Sequence, residues 1–294
     1  MCPGSVKCKC AGQGIRTVAT VEENAPMKAV RSLYAAAAIS MMWLGAALPA
    51  TAQQSQPAAP AAAAGQSSQA NAPALPTAQQ VFDHYAEAIG GREAWEKITS
   101  RVSRGTVRIE GIEGTGSLLS YERAPNQELS SITLSNGAVL RDGFDGKLGW
   151  EQDVTGKVKE LAGTRAADRK ALSDFYSEIH LAKIYPHPKL VGQRTADGRL
   201  AYVVEANIPG GNPRLLYFDA ESWLLFRTDV FENPLSPVPT SVERQDDYRD
   251  VDGIKYPYRA SVEGPGVNIQ YRFTVLHHNV DVKDDEIARP ASSN

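Results

Sequence analysis

Cysteine is almost missing from this chain, and the three that occur, Cys2, Cys8 and Cys10, all precede Met27. The remainder can close no disulfide, so in an oxidising compartment it must rely on an ordinary apolar core. The Cys8-Lys9-Cys10 pair lacks a second ligand pair at zinc spacing, which argues against a metal or redox site there. Long apolar runs are equally scarce. The run from Leu33 to Leu48 is shorter than the ~20 residues a membrane-spanning helix needs. Basic clusters are absent and the net charge is −3, which argues against nucleic acid as a partner. There is no nucleophile elbow, phosphate-binding glycine loop or zinc-binding helix motif, so no catalytic residue, metal ligand or cofactor is expected.

What the N-terminus does contain is an export signal. Lys28 and Arg31 precede the apolar run, and Ala50-Thr51-Ala52 follows it. These are the parts of a secretory signal peptide spanning 27–52, with cleavage after Ala52 and Gln53 as the mature N-terminus. A retained anchor is the alternative, disfavoured by length. No cysteine follows the run, so lipid attachment is not expected. Residues 1–26 read as a mis-assigned start, and the mature protein as periplasmic or secreted. Residues 53–76, rich in Ala, Gln, Ser and Pro, carry no charge and read as a disordered linker. Removing residues 1–52 takes five basic and two acidic residues away, leaving a mildly acidic protein.

From Thr77 to Asn294 the pattern is that of one mainly β domain with some α. Thr77 can cap a helix carrying Val81, Phe82, Tyr85, Ala88 and Ile89 at helical spacing, closed by Gly90-Gly91. A short helix over 92–98 follows. Apolar residues then fall at every second position, which predicts strands at 102–110, 115–123, 128–135, 137–144, 148–153 and 156–161. Seven more are predicted at 189–195, 199–207, 213–219, 223–231, 239–249, 254–263 and 267–277. The connections are expected to contain Asp142-Gly143, Asp145-Gly146, Asp197-Gly198, Gly210-Gly211 and Asp252-Gly253, and several read as hairpin signals. Connections this short make neighbours antiparallel. The segment 165–183 breaks the alternation and reads as one or two helices ending before Pro186, covering a sheet face or plugging a barrel mouth.

Candidate chemistry is sparse. His277 and His278 point to opposite faces of one strand, while His84, His180 and His187 are scattered. Asp246, Asp247, Asp250 and Asp252 before Gly253 fail the EF-hand pattern, because Tyr248 and Arg259 stand where its first and last acidic ligands belong. No two carboxylates are singled out for glycosidic chemistry. The supply of bulk on strand faces is more informative. Trp150, Tyr202, Val204, Tyr256 and Tyr258, with Ile269, Tyr271 and Phe273 on the last strand, are candidates to line a hydrophobic cavity. The alternative for each is a packed core.

Tyr85-Ala86-Glu87-Ala88-Ile89-Gly90-Gly91, Gly143-Phe144-Asp145-Gly146 with Gly149-Trp150, Leu216-Tyr217-Phe218-Asp219-Ala220-Glu221 and Asp247-Tyr248-Arg249-Asp250-Val251-Asp252-Gly253 carry a resemblance. Together they resemble the bacterial outer-membrane lipoprotein-sorting-like proteins, relatives of the carriers LolA and LolB, over roughly residues 77–290. The resemblance implies a curved antiparallel sheet forming an unclosed β-barrel, with helices as a lid over an apolar cavity for acyl chains. These motifs are turn and core positions, so no family contact residue is carried over. The function expected is a non-enzymatic periplasmic carrier or binder of lipid-like ligands or lipoprotein acyl chains. An envelope scaffold with a protein partner is the alternative, and a hydrolase with an unrecognised site a third.

Overall fold

The computed structural model describes residues 74–291. The expected start extension (1–26), signal peptide (27–52) and nearly all of the linker (53–76) lie outside the described residues.

Thirteen strands occur where period-two alternation places them, with ends shifted by a few residues. Six precede the helical interruption: β1 (Ser100–Ile109), β2 (Gly116–Arg123), β3 (Gln127–Thr133), β4 (Val139–Asp145), β5 (Gly149–Gln152) and β6 (Val158–Glu160). Seven follow it: β7 (Lys189–Ala196), β8 (Arg199–Asn207), β9 (Pro213–Asp219), β10 (Leu225–Val230), β11 (Ser241–Val251), β12 (Ile254–Gly264) and β13 (Val267–His278). The helices are α1 (Ala78–Ala88), α2 (Arg92–Glu96), α3 (Gly163–Leu172), α4 (Leu181–Ile184) and α5 (Asp284–Ile287).

All strands form one antiparallel sheet in the order β6-β5-β4-β3-β2-β1-β13-β12-β11-β10-β9-β8-β7. The chain's first and last strands thus pair at the centre. Its two edges, β6 and β7, are consecutive in sequence and are not paired with each other, so the barrel stays unclosed. The segment joining those edges contains α3 and α4. Two Asp-Gly pairs turn hairpins as expected, Asp197 and Gly198 with φ of 49° and 78° and Asp252 and Gly253 with 54° and 84°, whereas Asp142-Gly143 lies within β4, paired on both sides, and is no connection.

Helix α1 begins with a reciprocal cap. Thr77 Oγ1 accepts from the Gln80 amide at 3.1 Å, and Gln80 Oε1 accepts from the Thr77 amide at 2.8 Å. Its apolar stripe of Val81, Phe82 and Tyr85 is buried against Val204, Leu216 and Phe218 of β8 and β9. The Phe218 ring lies 5.9 Å from Phe82 and 5.4 Å from Tyr85. Each such side chain contributes about 1.5–3 kcal/mol by leaving water, which makes this the main anchor of the helices.

Candidate functional site

Residues directly opposite in an antiparallel pair share a face, so the register sorts the sheet into a helix-covered inner face and an outer one. Val107 pairs with Tyr271, Ile109 with Ile269, and Ile269 with Val262. These share the inner face with Ile132 and Leu140. Glu243 sits opposite both Val262 and Thr228, and Ser241 opposite Val230, so Ser241 and Glu243 face inward together.

Helix α3 covers this part of the inner face, and its attachment is electrostatic. Among its residues only Asp168 is fully buried. Arg165 pairs with Glu151 of β5. Arg169 donates to Glu128 of β3 and, at 2.6 Å, to Asp142 of β4. Asp168 accepts from Arg214 Nη1 of β9 at 2.9 Å and from the Asn212 amide at 3.1 Å. A helix with few apolar side chains is thereby laced to strands on both sides of the barrel opening.

Under α3 lie two adjoining hollows of about 260 and 280 Å³. They share Leu161, Arg165, Arg169 and Glu243 in their walls. The first is apolar along Ile132, Leu140, Val262 and Ile269 and polar at Asp142, Glu151 and Tyr271. The second is bounded by Asp168, Leu172, Asn212, Arg214, Val230 and Ser241. Taken together they reach the range of roughly 300–1,000 Å³ in which small ligands are held.

Burial raises the Glu243 carboxyl above the ordinary range; Arg214 opposes this and Asp168 adds to it. Asp142 is likewise raised by burial, with Arg169 pulling the other way. Burial also pushes the Tyr271 phenol up. The interior therefore holds carboxylates at a desolvation cost, which a wholly apolar acyl pocket would not.

The sequence-predicted cavity residues divide. Ile269 and Tyr271 line the hollow, and Phe273 packs at the edge of the same apolar cluster. Tyr256 touches Phe273 at 6.0 Å between ring centres and lies under the Arg101 guanidinium at 4.4 Å. Val204 and Tyr202 belong to the core beneath α1, and the Tyr202 ring stacks on Trp223 at 4.9 Å. Tyr258 lies beneath Arg249 at 4.4 Å.

Trp150 faces away from α3. A Cβ on its neighbour Gly149 would meet Arg169 Cγ at 2.7 Å, so Gly149 faces α3 and the adjacent indole faces outward. There it packs with Val102, Leu129, Val282 and Ile287, under the C-terminal segment. It borders the hollow without aiming its ring into it.

Ser241, Glu243, Arg165, Asp168, Arg169 and Arg214 escape a reading based on apolar alternation. Strand β11 is polar on both faces, so period two cannot say which side is buried. The one local signal is the Arg165-Asp168-Arg169 grouping, three charges on adjacent turns of a predicted covering helix. The histidines stay apart: His84 stacks on Trp223, His180 contacts Asp174 and His278 contacts Asp252. A wider groove of about 590 Å³ runs across the outer face beside Arg244, Asp246, Arg259 and Glu263. Four of its charges pair off, Arg244 with Glu263 at 2.8 Å and Arg259 with Asp246 at 2.9 Å.

No family model and no curated protein matches the sequence. Solved structures do match. A LolA superfamily protein from Nitrosomonas europaea aligns with a TM-score of 0.51 at 13% identity, over 73% of this chain and 99% of that one. A DUF1329 family protein from Desulfovibrio piger, 16% identical, aligns over 72% of this chain and 97% of its own at a TM-score of 0.49. The chain has a LolA-like fold, an unclosed antiparallel barrel with few helices.

Proposed function

We propose that the protein is an exported, non-enzymatic binder of an amphiphile, held between α3 and the inner face of the sheet, and that it carries this ligand in the periplasm. The observation that carries the reading is the paired hollow under α3, with one apolar wall at Ile132, Leu140, Val262 and Ile269 and one polar wall at Tyr271 and Glu243. Supporting it are the LolA-like fold and the signal-peptide pattern ending at Ala52. The electrostatic seating of α3 also suits a cover that lifts and reseats, because it buries little apolar surface of its own.

Lipid extraction of the purified protein followed by mass spectrometry tests this. A co-purifying amphiphile is expected, and it should be lost when Val262→Trp or Ile269→Trp fills the first hollow. Protein that carries no amphiphile and takes up none from detergent micelles would sink the reading. So would plugged variants that stay folded and keep their load.

A second reading, docking to an envelope protein, draws on one feature. The loop between β10 and β11 exposes Leu235 by 91% and Val238 by 67%. Crosslinking from those positions to a protein, unaffected by the plugging variants, would favour it.

A further inference from the structure

Acids outnumber bases beneath α3. Arg165 is taken by Glu151, Arg169 by Glu128 and Asp142, and Arg214 by Asp168. Among the described residues this leaves Glu243 with no cation at ion-pair distance and no hydrogen-bond donor on its carboxylate. A second group at the same place is also unanswered. Ser241, two residues earlier on the same face, is only 1% exposed, and its hydroxyl has no hydrogen-bond partner. It forms part of the wall that Glu243 shares between the hollows. A half-buried carboxylate that borders both hollows without a partner and a fully buried hydroxyl without one are each costly, and they recur where a ligand completes the set.

We propose that this position receives the ammonium group of an amine-bearing amphiphile, with Glu243 as its counter-ion and the Ser241 hydroxyl as a hydrogen-bond acceptor. The apolar part of the ligand would then lie along Val262 and Ile269 toward Ile132 and Leu140, in the hollow that begins at Glu243. An ammonium brings three donors and one positive charge, which matches what the site lacks. A carboxylate or phosphate head would meet the unpaired Glu243 as a like charge. A neutral hydroxyl would leave the carboxylate uncompensated. This headgroup assignment rests on the amphiphile reading above and narrows it.

Titration calorimetry with decylamine, decanol and decanoate separates the two claims. The protein should bind decylamine at least tenfold more tightly than decanol, and decanoate more weakly than either. Glu243→Gln should bring decylamine to within about twofold of decanol while leaving decanol itself unchanged. Glu243→Asp, which keeps the charge with a shorter reach, should retain part of the preference and guards against a folding defect in the first variant. Ser241→Ala should weaken decylamine several-fold and decanol little. Equal affinity for amine and alcohol, tighter binding of decanoate, or an amine preference that survives Glu243→Gln would each overturn the headgroup assignment and leave the amphiphile reading standing. Failure of all three probes to bind the unaltered protein would overturn both.

Discussion

Asp168 Oδ1 accepts a hydrogen bond from Arg214 Nη1 at 2.9 Å, tying α3 to β9 across the barrel opening from the strands that hold Arg165 and Arg169. Both partners are largely buried, so removing one charge strands the other. Asp168→Asn should cost about 3–5 kcal/mol in urea unfolding, the usual penalty for breaking a buried pair from one side. Hydrogen exchange should quicken through α3. The exposed pair of Arg259 with Asp246 is the contrast: Arg259→Ala should cost no more than about 1 kcal/mol. Comparable losses in the two variants would mean that Asp168 is not a fastening point.

Glu243 should make the unliganded protein less stable as pH rises. Its folded-state carboxyl is raised by burial, so the folded chain keeps a proton that the unfolded chain has already released. Between the ordinary carboxylate value of about 4.3 and the raised folded value, stability therefore falls with increasing pH. Glu243→Gln removes that contribution. Its Tm should exceed that of the unaltered protein at pH 7, and the two should converge near pH 4. At this chain length each kcal/mol appears as roughly 2–4 °C. A Glu243→Gln protein that melts lower at pH 7 would show that the carboxylate is satisfied in the fold.

Strand positions were legible because one face of most strands is apolar, as Val267, Ile269, Tyr271 and Phe273 illustrate on β13. The interruption at 165–183 was legible for the opposite reason, a loss of alternation, and the helices it produced lie between the two unpaired edges. Which apolar face meets a cavity was not legible. Val204 and Ile269 both alternate correctly, yet one lies under α1 and the other beside a hollow. That difference depends on which helix covers which strands. Trp150 shows the same limit from the other side, since alternation gives two faces without naming the inner one. The polar wall had no signal in β11, where Ser241, Glu243 and Gln245 alternate with Val242, Arg244 and Asp246.

Gly90 should be intolerant of any side chain. It has φ of +116°, and a Cβ there would stand 2.3 Å from the carbonyl oxygen of Gly253 in the β11–β12 turn. The contact continues in the hydrogen bond from the Lys255 amide to the Ile89 carbonyl at 2.9 Å. Gly90→Ala must therefore move the end of α1 away from that turn as well as adopt a disfavoured backbone. A loss of at least 1–3 kcal/mol is expected in denaturant unfolding. Gly198→Ala, with φ of +78° and open space around the new Cβ, should cost less. Equal losses would assign the whole effect to backbone strain.

The outer face offers a way to separate stability from binding. Trp150 is fully buried there, on the face opposite α3, beneath Val282 and Ile287. The segment carrying those residues is held by Arg123, which donates to the Val282 carbonyl at 2.8 Å and to Asp284 at 2.6 Å. The Ser100 hydroxyl adds a bond to the Val280 carbonyl at 2.6 Å. Ile287→Ala removes apolar packing from this strap at a residue that lines neither hollow, and should cost about 2–5 kcal/mol. Quenching of tryptophan fluorescence by acrylamide should increase as the strap loosens over Trp150. Decylamine affinity, measured well below the lowered Tm, should stay within about twofold of the unaltered protein. A parallel loss of affinity would mean that the strap and the hollow are coupled through β5, where Trp150 and Gly149 face opposite ways on adjacent residues.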